Sequence, residues 1–142
     1  PRCPCSRATV RELAKILVRT SAAIEVTILI YMPAMAPENW MQNPMLDECR
    51  RLNCRLRPDP QGKLAVALGS LTSGTTTLYD AEGYLRYRGG ITAARGHEGD
   101  NLGARAVVEI LSGARESFST LPVFGCPIHE RPPKPAESLS SI

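Results

Sequence analysis

Apolar residues return at helical spacing at Val10, Leu13, Ala14 and Leu17. That period predicts a helix over residues 7–19, starting immediately after two cysteines. Ser6 belongs to the residue types that cap the free N–H groups of a first turn. Residues 24–31 are nearly all apolar and rich in Ile, Val and Thr, the pattern of a buried strand. Pro33 and Pro37 break that pattern, and the loop over 34–44 carries Trp40. A short helix is predicted over 45–52. Cys54-Arg55-Leu56-Arg57 reads as a brief strand closed by Pro58 and Pro60, with a second short helix over 62–68.

The second half changes period. Residues 75–80 and 84–89 are β-rich runs joined by Ala81-Glu82-Gly83, a hairpin signal with glycine where a positive φ is useful. A loop over 92–100 then leads to a helix over 101–111, with Leu102, Ala106 and Ile110 on one face and Asp100 and Asn101 as capping types. The order is helix, strand, helix, hairpin, helix. One further strand in front makes it β-α-β-α-β-β-α, in which the first half forms a right-handed crossover and the second an antiparallel hairpin. The fold class expected is α/β, a mixed sheet flanked by helices. The chain opens on Pro1, two residues before the first cysteine, and is read as lacking that first strand.

Composition narrows the classes. The 142 residues fit one domain, expected over 1–128, and the 43% apolar content is enough for a core. Aromatics are only 5%, so Leu, Ile, Val and Ala must fill it. Pro132, Pro133 and Pro135 and the serines after them predict a disordered tail over 129–142. The net charge is +3 without a dense Lys/Arg run, which argues against a nucleic-acid partner. No apolar run approaches the roughly 20 residues of a membrane span.

Five cysteines are an odd number, so at least one is free or paired outside the chain. Cys3-Pro4-Cys5-Ser6 stands at a helix start flanked by Arg2 and Arg7. Unpaired N–H groups and the helix dipole stabilise a thiolate there, and a second thiol can trap a mixed disulfide. Two registers fit. In one, Cys3 and Cys5 form the pair, in a ring tighter than Cys-x-x-Cys and therefore strained. In the other, Cys3 attacks and Ser6 takes the place of the second cysteine. Two buried small residues or half of a zinc site are the plainer readings.

At these residues the chain resembles the thioredoxin-like superfamily, and within it the RedB-like bacterial redoxin branch. The resemblance rests on Cys3-Pro4-Cys5-Ser6-Arg7-Ala8, Gly69-Ser70-Leu71-Thr72-Ser73-Gly74 and Leu78-Tyr79-Asp80-Ala81-Glu82-Gly83. It continues through Gly89-Gly90-Ile91-Thr92, the loop Arg95-Gly96-His97-Glu98-Gly99-Asp100-Asn101 and the ending Val123-Phe124-Gly125-Cys126-Pro127. It spans about residues 1–128 and implies a thioredoxin-like mixed sheet. Thioredoxins set a cis-proline before their third strand, facing the active-site sulfur; here that position falls on Gly74 or its neighbour.

The function expected is thiol–disulfide redox chemistry, as an oxidoreductase or a thiol peroxidase-like redoxin. Cys3 or Cys5 would attack, and Cys126 would resolve or be a buried structural thiol. Ser6, Gly74 and His97 would be binding positions, with His97 tuning a thiolate from its loop, where a polar surface role is the alternative. The substrates would be protein or small-molecule thiols and disulfides. No cofactor is called for, since electrons pass through sulfur. A periplasmic or membrane-anchored exterior setting fits if an upstream segment exists. Cys49 and Cys54 read as residues beside a short helix, or as a side disulfide. The alternative function is a copper or zinc module using Cys3, Cys5 and Cys126, with His97 as a further candidate. A non-catalytic interaction module is the third.

Overall fold

The first helix begins earlier than the apolar period predicts. In the computed structural model, which describes residues 1–114 and 119–128, α1 spans Pro4–Arg19. Pro4 occupies the first turn, where a missing N–H costs nothing and a fixed φ favours the helix. Cys3 is therefore the N-cap residue and Cys5 lies inside the helix, which corrects the expected start after the cysteines. Ser6 is corrected with it: it sits within the first turn rather than in the capping position.

Two strands follow, β1 (Thr27–Met32) and β2 (Arg55–Pro60), paired in parallel and separated by α2 (Pro44–Arg51). The Asn43 side chain accepts from the Met45 amide at 2.9 Å and caps α2. The strand closes at Pro60 as expected, but the expectation that Pro58 also closes it is corrected, because the strand runs through Pro58. The Arg55 amide donates to Val26 and the Gln61 amide to Met32, so odd-numbered amides of this stretch face β1. The prolines fall on the alternate, outward positions, where no ladder donor is lost. They also leave that edge short of donors for a further strand. Asp59 is buried and accepts from the Leu64 and Ala65 amides at 2.9 Å each, fixing α3 (Lys63–Ala67) directly after β2.

The hairpin is present as β3 (Thr76–Tyr79) and β4 (Leu85–Gly89), antiparallel, with an irregularity between Leu78 and Tyr79. Then come α4 (Leu102–Leu111), capped by the Asn101 side chain on the Ala104 amide, and β5 (Ser119–Thr120), parallel to β4. The molecule is thus mixed α/β. The expected single sheet, with residues 24–31 beside the hairpin, is corrected: β1–β2 and β3–β4–β5 are separate sheets. Among the described residues no strand pairs with both β1 and β3, so the hydrogen-bond ladder is not carried across.

Helix α1 joins the halves instead. Val10 packs with Ile30, Leu46 and Cys49 in one core. Ile16 packs with Tyr87, Ile91 and Val107 in the other, and Leu13 packs against both. The middle and end of α1 thus contribute apolar surface to both cores through Val10, Leu13 and Ile16. No helix among the described residues is long and apolar enough to cross a membrane. The tail expected over 129–142 lies outside the described residues.

Candidate functional site

The N-terminus of α1 meets the end of the described chain. After β5 the backbone stays hydrogen-bonded to the second sheet: the Leu121 amide donates to Arg88, and the Gly90 amide to Pro122 at 3.2 Å. It then crosses to the segment before β3, where Ser73 N–H donates to the Cys126 carbonyl at 2.8 Å and Ile128 N–H to the Leu71 carbonyl at 3.0 Å. Gly125 permits this approach, since a Cβ there would collide with the Ser73 carbonyl oxygen. Backbone pairing therefore anchors the return. Phe124 is 39% exposed and does not supply the anchor by burial.

The result places Cys126 Sγ 3.3 Å from Cys3 Sγ. Ser73 Oγ lies 3.7 Å from the same Cys3 sulfur and accepts from the Cys126 amide at 2.9 Å. Cys5 Sγ completes a group in which all three sulfurs lie within 4.8 Å of one another. Cys5 is buried, while Cys3 and Cys126 are partly exposed. All five cysteines are free thiols.

Burial opposes charge on Cys3. The Ser6 backbone N–H, the Cys126 thiol, the Ser73 hydroxyl and the Cys5 N–H outweigh it and bring Cys3 down to about 6. No side-chain cap bond of regular geometry closes at Cys3, yet the first-turn N–H groups favour its thiolate as helix N-termini do. Cys126 moves the other way: its contact with Cys3, then burial, push it up, and Arg95 works against the rise. The two shifts run in opposite directions and favour charge on Cys3 and the proton on Cys126. Such a pair titrates as a unit.

Arg95 Nη2 donates to Cys126 Sγ at 3.3 Å. The loop that carries it crosses α1 at the motif, with Gly96 against Pro4. Comparison of the chain with family models, with curated proteins and with solved structures finds no match. The site's chemistry therefore stands on its own geometry.

Two of the residues that sequence reading assigned to binding have other partners. His97 Nδ1 lies 2.8 Å from the Arg95 carbonyl oxygen on the exposed side of its loop, and the cluster of potential ligands contains no histidine among the described residues. Gly74 has a φ of +83°, and its α-carbon faces Thr9, whose hydroxyl a Cβ would meet at 2.7 Å. The peptide bonds of the described residues include no cis bond. Its neighbour Ser73 is the residue that faces the sulfur. Ser6 contributes through its backbone.

Arg2, which flanks the motif in sequence, stacks its guanidinium 5.3 Å from the Trp40 ring centre. Glu98 binds Arg11 at 2.7 Å, and Asp100 binds Arg105 at 2.7 Å, so neither acid orients His97 at the sulfurs. Cys49 and Cys54 are buried in the first core. Burial, then Cys54, pushes Cys49 up to about 11, and burial raises Cys54, so both are held as unreactive thiols. Ser73 and Arg95 are the residues the sequence reading left without a role. Both sit in motifs it noted, a Thr-Ser-Gly turn and a glycine-bearing loop, but nothing in their spacing joins them to residue 3 or 126.

Proposed function

We propose that this chain is a thiol–disulfide exchange protein of thioredoxin-like architecture, with Cys3 as the attacking thiolate and Cys126 as the resolving thiol. The observation that carries this reading is the 3.3 Å contact between a sulfur ionised near pH 6 and one that keeps its proton. Thiols at a helix start, a parallel β-α-β half, an antiparallel hairpin and a closing helix support the architecture. The divided sheet and the trans peptides around Gly74 are departures from the thioredoxin pattern.

The chemistry runs in two displacements. The Cys3 thiolate attacks one sulfur of a substrate disulfide, forming a mixed disulfide as the other substrate sulfur leaves as thiolate. Cys126 gives up its proton, attacks the Cys3 sulfur and expels the second substrate thiolate, leaving a Cys3–Cys126 disulfide. Two electrons have moved from the protein to the substrate, and an external dithiol must restore the reduced pair. Charge on Cys3 has by then been discharged into the mixed disulfide, so Cys126 ionises more readily, helped by Arg95. Cys5 is shielded, which places it outside both displacements.

The test is to oxidise the reduced protein with a small-molecule disulfide and map the products by mass spectrometry. A Cys3–Cys126 bond is expected in the wild type. Cys126→Ser should accumulate the mixed disulfide on Cys3, Cys3→Ser should abolish exchange, and Cys5→Ala should preserve it. A dominant Cys3–Cys5 bond in the folded protein would sink the assignment of Cys126.

A further inference from the structure

The exchange reading uses two of the three clustered sulfurs. The third, Cys5, is 4% exposed, yet its Sγ lies within 4.8 Å of both others. Two of the sulfurs arrive on the N-terminus of α1 and the third on the returning chain. Cys3 is fixed by the N-cap position of α1, Cys5 by the first turn, and Cys126 by backbone hydrogen bonds to Ser73. Three soft donors are therefore held together before any ion arrives, which lowers the ordering cost of binding.

We propose that the reduced protein binds one Cu(I) ion in three-coordinate fashion through Cys3, Cys5 and Cys126. This inference is independent of the exchange reading. Metal–thiolate bonds are about 2.3 Å long, so three sulfurs around one ion in a plane sit about 4 Å apart. The sulfurs here bracket that spacing, from 3.3 Å between Cys3 and Cys126 to the 4.8 Å limit of the group.

Ligand chemistry selects the metal. An all-sulfur set suits a soft monovalent ion. Structural zinc is almost always bound by four protein ligands. A fourth His, Cys, Asp or Glu is missing from the group among the described residues, and His97 is turned to its own loop. Binding displaces the remaining thiol protons, so three thiolates and Cu(I) leave a net charge of −2 on the centre. Arg95, already on Cys126, offsets part of it. The metal and the disulfide use the same sulfurs and exclude one another.

The experiment is an anaerobic titration of the reduced full chain with Cu(I) against a chromophoric Cu(I) chelator, with X-ray absorption on the loaded wild type. One equivalent should be withdrawn by the wild type, with three sulfur neighbours at the copper. Cys5→Ala and Cys126→Ala should each weaken binding by more than about 100-fold, beyond the usual effect of outer-shell changes. Cys54→Ala should not. Far-UV circular dichroism shows which variants fold, and the wild-type absorption spectrum stands if one does not. Two sulfur neighbours at the copper, loss of binding in Cys54→Ala alone, or tighter retention of Zn(II) than of Cu(I) would each overturn the proposal. Exchange activity can survive any of these results, so failure here is distinguishable from failure of the redox reading.

Discussion

Ser73 holds both backbone groups of Cys126, one with its own amide and one with its side-chain hydroxyl. The Ser73 amide donates to the Cys126 carbonyl at 2.8 Å, and the Cys126 amide donates to the Ser73 hydroxyl at 2.9 Å. The same hydroxyl lies 3.7 Å from Cys3 Sγ. One small side chain thus positions the second thiol and helps stabilise charge on the first.

Ser73→Ala removes both effects. The Cys126 amide loses its acceptor, and an unsatisfied part-buried donor costs about 1–3 kcal/mol. Cys3 loses one of the groups holding it near 6, so its titration moves toward the ordinary thiol range. The rate of Cys3 alkylation measured against pH should show its midpoint displaced upward. An unchanged midpoint would remove Ser73 from the site.

Arg95→Met separates the two sulfurs. Arg95 is among the groups acting on Cys126, opposing the rise in its pKa. The contributions to Cys3 come from Ser6, Cys126, Ser73 and Cys5. The pH midpoint of Cys3 alkylation should therefore move less than in Ser73→Ala, while resolution of a mixed disulfide slows several-fold at neutral pH. Stopped-flow release of a chromogenic thiol reads the second step directly. Equal slowing of both steps would show that Arg95 acts on the whole loop.

Stability of the reduced protein should peak on the alkaline side of neutrality. A thiol ionises at about 8.5 in an unfolded chain. Cys3 ionises at about 6 in the folded state, so its contribution is full above about 8.5 and is lost as pH falls through 6. Cys49, Cys54 and Cys126 are raised in the folded state, so each opposes folding once the unfolded thiols ionise. The urea midpoint should rise from pH 6 to about 8.5 and fall toward pH 11. A monotonic profile would contradict the unequal sharing of protons.

Gly125→Ala tests the close approach. The added methyl would strike the Ser73 carbonyl, and overpacking of this kind costs about 1–3 kcal/mol. The strand-like pairing of residues 125–128 should loosen, separating Cys126 from Cys3. Thermal unfolding reports the first effect, and a lower yield of the Cys3–Cys126 disulfide reports the second. A variant as stable as the wild type with an unchanged disulfide yield would show that this contact is dispensable.

The elements that local periodicity encodes were legible in the sequence. Helix α4 has Asn101 as its cap, the hairpin turns through Gly83, and the parallel strands carry apolar or outward-proline positions. What periodicity does not encode was misread. Pro58 looks like a terminator until the partner strand fixes which amides face it. Ser6 looks like a cap until Pro4 takes the first helical position and moves the boundary forward. His97 looked chemical by residue type, but the backbone turn at 94–97 presents Arg95 to the sulfur and directs the imidazole to a carbonyl. Gly74 held the expected position beside the sulfur, yet the hydroxyl one residue earlier is what reaches it. The nearness of Cys126 to Cys3 rests on a backbone pairing of Ser73 with Cys126, on the Ser73 hydroxyl and on the missing Cβ of Gly125, residues whose spacing along the chain does not join them to Cys3.

The contact between Cys3 and Cys126 spans 123 positions of chain. Two such ends meet only after almost everything between them has taken its place. In a nascent or denatured chain the more frequent encounters are between near neighbours such as Cys49 and Cys54, because a short loop closes at less entropic cost than one of over a hundred residues. An oxidant arriving early therefore records adjacency in sequence, and one arriving late records adjacency in space. The pattern of bridges in a sample is a clock of when its sulfurs first saw oxygen relative to when the molecule finished folding.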